Sequence, residues 1–321
     1  MTRCLVTGAN GFVGSALMSR LVSEGRFAAR AVVREAKVAA CRFSDVRGVA
    51  DLGPDTGWTE LLQGVDVVVH CAARVHVMGE SGDQSEKMFD RVNVQGSLNL
   101  AKQAAAMGVR RFIFISSIKV NGEQTRANCP FTADDLPAPG DAYARSKLLA
   151  EEGLQRLARE TGMELVIIRP PLVYGPGVGA NFLTLMRWLQ KGLPLPLGRV
   201  DNSRSLVAVF NLVDLIIRCI DHPGAKGETF LVSDDDDMST TTLLFRLGEA
   251  LGEPARLIPI PAKLIMWAAT ILGRRGMAQR LCDSLQVDIQ KTKRLLEWAP
   301  PCKVQDALNE TAKHLIEQRV S

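Results

Sequence analysis

Short apolar runs alternate with stretches of helical periodicity through the first half of the chain. Residues 4–6 form an apolar run that closes on Thr7-Gly8-Ala9-Asn10-Gly11-Phe12-Val13-Gly14. Over 15–24, Leu17, Leu21 and Val22 recur at helical spacing, and Gly25 suits a helix C-terminus. The spacing then predicts strands over 31–33, 46–51, 65–70, 111–115 and 165–168, with helices over 89–107 and 143–160. Strands separated by single helices build a parallel sheet covered on both faces, so the fold class is α/β, a doubly wound Rossmann sheet.

From residue 171 the rhythm breaks. Prolines become frequent (Pro170, Pro171, Pro176, Pro194, Pro196), with helices expected over 182–190 and 214–220 and a strand over 228–232. We expect residues 1–170 to form the dinucleotide-binding domain. Residues 171–321 are expected to form a smaller, interwoven substrate lobe that returns segments to the first. Asp234-Asp235-Asp236-Asp237 has no matching metal ligands and reads as a solvated loop. The apolar stretch 264–272 is about half a membrane-spanning helix. It reads as a buried or groove-facing helix, with a membrane-surface helix ending at Arg274-Arg275 as the alternative.

Candidate chemistry gathers at the strand ends. Gly8, Gly11 and Gly14 let the backbone turn tightly and approach a pyrophosphate, which then sits on the N-terminus of the next helix. The second strand ends at Arg34, where an NAD site places Asp or Glu. An arginine there, with Lys37 close by, suits a 2′-phosphate, which favours NADP(H) over NAD(H). Tyr143 and Lys147 are four residues apart and share a helix face. An ammonium there is expected to lower the phenol pKa toward the range useful for proton transfer. Ser117 follows the fifth strand and arrives on the same rim.

Composition removes other classes. A net charge of +4 without a Lys/Arg run gives no nucleic-acid footprint. Seven scattered cysteines and four unclustered histidines give no zinc site or disulfide framework. With no signal-peptide core and no stretch long enough for a transmembrane segment, a cytoplasmic protein is expected.

Together, Thr7-Gly8-x-x-Gly11-x-x-Gly14, Asp51-Leu52, His70-Cys71-Ala72-Ala73, Asn93, Ser116-Ser117, Tyr143-x-x-x-Lys147 and Arg169-Pro170 resemble the extended short-chain dehydrogenase/reductases, in the nucleotide-sugar epimerase, dehydratase and reductase group. In the C-terminal part, Tyr174-Gly175-Pro176-Gly177, Asn181-Phe182, the 204–214 segment and the 288–298 segment fit the same pattern. The resemblance implies that Gly8, Asn10, Gly11, Phe12, Val13, Gly14, Asp51, Leu52, Ala72, Ala73, Asn93, Tyr143, Lys147 and Pro170 line the cofactor. It implies Ser117, Tyr143 and Lys147 as the catalytic set. Asn181, Arg204 and Arg280 match positions that grip the diphosphate of a UDP-sugar, and His76 falls where sugar epimerases carry a substrate-facing lysine. A homodimer is compatible with this reading.

Two departures stand out. Asn121 replaces an aromatic in Ser116-Ser117-Ile118-Lys119-Val120-Asn121-Gly122, and Arg34 replaces an acid. Both lean away from a simple UDP-galactose epimerase. Within the group the chain resembles bacterial O-antigen enzymes that reduce UDP-4-keto-6-deoxy-N-acetylglucosamine to UDP-N-acetylquinovosamine with NAD(P)H. The expected activity is therefore a C4 ketoreductase for surface polysaccharide synthesis, with a 4-epimerase retaining NAD as the alternative. A dehydrogenase of apolar substrates would need neither Arg204 nor Arg280. A cofactor-sensing regulator without chemistry would not need the Tyr–Lys pair.

Overall fold

The computed structural model describes residues 1–75, 83–126, 129–273 and 275–320. Strands β1 (Thr2–Thr7), β2 (Phe27–Arg34), β3 (Val46–Val49), β4 (Val67–His70), β5 (Arg111–Ile115) and β6 (Glu164–Arg169) pair in parallel. Two short strands, β7 (Leu172–Tyr174) and β8 (Leu206–Ala208), form a separate parallel pair, and β9 (Thr229–Leu231) joins the main sheet beside β6. The seven-stranded order is β3-β2-β1-β4-β5-β6-β9.

The strands read as unbroken apolar runs because both sheet faces are buried. Val6, Val69, Ile113 and Ile168 enter one core together with helices α1 (Phe12–Glu24) and, later in the chain, residues of the 209–221 helix. The alternate positions Leu5, Val68, Phe112 and Ile167 enter the opposite core with Leu100, Ala104 and Leu154. From β1 the chain winds one way through β2 and β3, then crosses back to place β4 on the other side of β1. The carboxyl ends of β1 and β4 therefore flank a crevice, where doubly wound folds bind their ligands.

The helix expected over 89–107 is three pieces. Helix α2 (Asp83–Phe89) runs into a turn of π-helix (Asp90–Gly96), which passes into α3 (Ser97–Ala106). A π turn inserts an extra residue per turn and often marks a functional position; here it carries Asn93, which is buried. Helix α4 (Ala142–Thr161) follows β5, capped by the Asp141 carboxylate on the Ala144 amide and closed by Gly162.

In the C-terminal half, α5 (Ala180–Gln190) packs in a second core, whereas α6 (Val209–Asp221) returns to the first core beside α1. Helices α7 (Thr240–Leu251), α8 (Ala262–Ile271), α9 (Arg275–Cys282), α10 (Gln290–Leu296) and α11 (Val304–Val320) complete the chain.

Two expectations are corrected. Helix α8 has no buried residue, so the apolar stretch 264–272 is not a core helix. The acidic run is not simply solvated either. Asp234 is buried and accepts from Tyr174 Oη (2.7 Å), the Ala208 amide (2.8 Å) and Asn211 Nδ2 (2.7 Å). Asp235 and Asp236 pair with Lys293 and Arg246, and Asp237 accepts from Ser205 and Gln286. Each carboxylate has its own protein partner, which is why the run forms a junction between segments.

Under the C-terminal rim lies a buried ion pair. The Arg169 guanidinium donates to both Glu151 oxygens (2.5 and 3.0 Å), and its Nη1 donates to Asn121 Oδ1 (3.0 Å). Ser116 Oγ also donates to Glu151, and Asn121 Nδ2 donates to the Thr132 carbonyl at 2.8 Å. The departure at Asn121 is thereby explained: an amide completes the network around Arg169. Glu151→Ala leaves the buried guanidinium without a counter-charge and is expected to cost about 3–5 kcal/mol. Glu151→Leu combined with Arg169→Met should cost much less. Chemical denaturation checks this, and equal losses in the two proteins would contradict it.

Candidate active site

The glycine turn closes the carboxyl end of β1. Gly8 has φ of +66°, and a Cβ there would lie 2.9 Å from the backbone N and Cα of Ala72. A Cβ on Gly14 would lie 2.1 Å from the Gly8 carbonyl oxygen. Gly11 donates its amide to that oxygen at 2.8 Å and caps α1 without any side-chain bond. The first turn of α1 carries no acid, so its amides form an anion site that side chains do not fill. These residues fit a dinucleotide pyrophosphate.

Around this turn lie the other cofactor candidates. Arg34 ends β2 and is exposed; Asp51 and Leu52 follow β3. The Asp51 carboxylate is exposed and paired with Arg91 at 3.4 Å. Ala72 and Ala73 follow β4 and are half-buried, and Pro170 follows β6 with its carbonyl accepting the Ile118 amide at 2.9 Å.

A hydrogen-bonded chain joins the turn to the helix bearing Tyr143. The Ala72 amide donates to Thr7 Oγ1 (3.3 Å), and since Ser97 gives its proton to the Asn93 carbonyl, His70 carries its own on Nε2 and accepts the Thr7 hydroxyl at Nδ1 (2.7 Å). The Nε2 of His70 then donates to Ser97 Oγ (2.9 Å), which donates to the Asn93 carbonyl (2.7 Å). Asn93 clamps Arg74 through both backbone groups and donates to Ser146 Oγ at 3.0 Å. Ser146 Oγ in turn donates to the Tyr143 carbonyl at 2.8 Å. Burial holds the His70 imidazole neutral, its pKa lowered to about 3, as this chain requires.

Tyr143 and Lys147 occupy adjacent turns of α4. The Lys147 ammonium is buried, donates to the Ile115 carbonyl at 2.8 Å and lies 4.4 Å above the Phe114 ring centre. Ser117 stands two residues beyond Ile115, half-buried, with its Oγ capping a short turn through the Lys119 amide at 3.3 Å. The expected lowering of the Tyr143 pKa is corrected. Burial pushes the phenol up to about 12, aided by the nearby Asp141 carboxylate. Lys147 is spent on the Ile115 carbonyl, and burial lowers its own pKa to about 8.

The second half contributes less directly. Asn181 is exposed in the first turn of α5. Arg204 donates to the Asp283 carbonyl at 2.9 Å, just past the end of α9, and Arg280 is exposed within α9. The two arginines thus attach to the same segment. His76 lies outside the described residues. Among the described residues, no three His, Cys, Asp or Glu side chains form a metal cluster.

The model of the NAD dependent epimerase/dehydratase family matches residues 4–233. The chain belongs to that family. It is 45% identical over 316 residues to a UDP-glucose 4-epimerase of Vibrio cholerae, covering 98% of this chain and 95% of that one. In fold it is similar to the UDP-glucuronic acid 4-epimerase of Bacillus cereus in complex with NAD (TM-score 0.78, 20% identity, 98% and 99% of the two chains covered). It is also similar to RMD from Pseudomonas aeruginosa complexed with NADPH (TM-score 0.77, 22% identity, 99% and 100% covered). An NAD-dependent family enzyme with a nicotinamide cofactor accounts for the rim.

Sequence reasoning missed Ser97 and Ser146, and it gave His70 no role. Spacing offers the only signal: Ser97 stands one helical turn beyond Asn93, and Ser146 three residues beyond Tyr143.

A pH test follows for this family member. Because the folded-state pKa of Lys147 lies below its usual value, the folded protein carries the cost of a buried charge below about pH 8. That cost is relieved as pH rises toward the unfolded value of 10.5. The unfolding free energy of Lys147→Met relative to the parent should therefore shift against the mutant by about 2–3 kcal/mol between pH 7 and 10. Denaturation at both pH values checks it; a constant difference would contradict the burial.

Proposed function

We propose that the protein interconverts the C4 epimers of a UDP-hexose or UDP-N-acetylhexosamine through a 4-keto sugar. Tyr143 and Lys147 on one face of α4, with Ser117 two residues beyond the Ile115 carbonyl that Lys147 holds, carry this reading. The 45% identity to a UDP-glucose 4-epimerase supports it over the ketoreductase expected first.

Gly8, Gly11 and Gly14 with the α1 amides hold the pyrophosphate, Asp51 and Leu52 the adenosine, and Ala72, Ala73, Asn93 and Pro170 the path to the nicotinamide. A nicotinamide held there would supply the hydride acceptor and donor for the sugar C4. Tyr143 moves the proton on O4, while Ser117 donates a hydrogen bond to that oxygen and holds it in line. At neutral pH the phenol is protonated, so it is ready to donate to a ketone oxygen. Taking a proton from the alcohol needs positive charge nearby, which the buried Lys147 ammonium one turn along α4 supplies. Arg204, with Arg280 and Asn181, grips the diphosphate. A sugar tethered only there can turn its other face to the nicotinamide.

Arg34 favours a second reading, an NADPH-dependent 4-ketoreductase acting on a UDP-linked 6-deoxy-hexosamine for lipopolysaccharide O-antigen. An exposed guanidinium at the end of β2 suits a 2′-phosphate, and a reductase must exchange its cofactor at each turnover.

Cofactor content separates the two. The epimerase reading expects stoichiometric NAD in the purified protein and UDP-galactose from UDP-glucose with nothing added. Cofactor-free protein that binds NADPH more tightly than NADH, with Arg34→Asp reversing that order in a fluorescence titration, would establish the reductase instead.

A further inference from the structure

Helix α8 lays an unbroken apolar stripe on the surface. Leu264, Trp267, Ala268, Ile271 and Leu272 follow the i, i+3, i+4, i+7, i+8 pattern of a single helix face. Their large side chains are 56% (Leu264), 66% (Trp267), 65% (Ile271) and 71% (Leu272) exposed. The opposite side, through Ile265, packs on the second core, so the helix is anchored with its apolar stripe turned out. Ile258 ahead of the helix and Met277 in α9 add further exposed apolar surface. Contiguous apolar surface of this kind marks a docking site.

Charge identifies the occupant. Residues 254–282 contain Arg256, Lys263, Arg274, Arg275 and Arg280 and no acid, a local charge of +5 in a chain whose total is +4. Lys263, Arg275 and Arg280 are exposed and form no ion pair among the described residues. Arg275 also acts on the Asp283 carboxylate past the end of α9, without a direct ion pair. An aromatic and aliphatic face bordered by exposed cations is the pattern of a helix lying in the interface of an anionic bilayer. At ten residues α8 cannot span one, and among the described residues no helix is long and apolar enough to cross a membrane. We propose that α8 docks the protein reversibly on the surface of an anionic phospholipid membrane, with Leu264, Trp267, Ile271 and Leu272 entering the interface and Lys263 and Arg275 meeting the headgroups. This goes beyond the proposed sugar chemistry and does not depend on it.

Co-sedimentation of the whole protein with phosphatidylethanolamine–phosphatidylglycerol vesicles (7:3), without substrate, tests the proposal. The parent should bind these vesicles at 0.1 M salt, bind phosphatidylcholine vesicles at least tenfold less, and release at 0.5 M salt. Trp58 and Trp298 are buried and Trp188 is half-buried, so a blue shift of tryptophan emission on binding that disappears in Trp267→Phe reports on Trp267. Leu264→Ser/Trp267→Ser/Ile271→Ser should lower partitioning at least tenfold, and Lys263→Gln/Arg275→Gln about tenfold, with unchanged far-ultraviolet circular dichroism. Lack of binding by the parent, or equal binding by the triple variant, would overturn the proposal. So would a parent dimer that ignores vesicles and that the triple variant turns into a monomer, since the face would then cover a second copy.

Discussion

The site depends on a crevice that the sheet topology opens and a line of hydrogen bonds that spans it. β1 and β4 stay paired to their last residues, Thr7 and His70, beyond which the chain leaves them in different directions. Thr7, His70, Ser97, Asn93 and Ser146 connect the glycine turn to the backbone of Tyr143. Every member is satisfied by its neighbours, which a buried polar network requires if it is to stabilise a single arrangement. The π turn is the part of this that costs regularity, and it returns the Asn93 amide to the interior, where it fixes Arg74 and Ser146 together.

Charge is placed with comparable care. Glu151 and Arg169 satisfy each other below the rim, leaving Lys147 as the buried cation directly under the site, donating to the Ile115 carbonyl. Without a ligand the phenol stays protonated and the lysine is held back. Farther out, the Asp234 carboxylate locks β8, α6 and Tyr174 together, so the segments that present Arg204 are tied to the same frame.

Much of this was legible beforehand where the chain obeys local rules. The glycine spacing, the valine-rich strands and the Tyr-x-x-x-Lys pair predicted the rim, and β5 spans the residues expected of it. Legibility failed where an outcome depends on tertiary company. A π turn leaves no periodic signature in seven residues, so 89–107 read as one helix. The apolar periodicity of α8 is the same whether its stripe meets a core or solvent. An ammonium four residues from a phenol predicts a lowered pKa only if the phenol stays solvated, and burial of Tyr143, with the Asp141 carboxylate beside it, outweighs the lysine. Asp234 read as solvated because Tyr174 and Asn211, which bury it, lie 60 and 23 residues away.

The central claim, that Tyr143 serves oxidation and return at a sugar C4, is tested most directly with UDP-glucose deuterated at C4. Incubated with the protein and followed by nuclear magnetic resonance, it should give UDP-galactose still carrying deuterium at C4, with turnover at least about 10²-fold slower in Tyr143→Phe. Full-speed conversion by the mutant would contradict the account. So would the absence of both this conversion and any reduction of a UDP-4-keto sugar by either reduced nicotinamide.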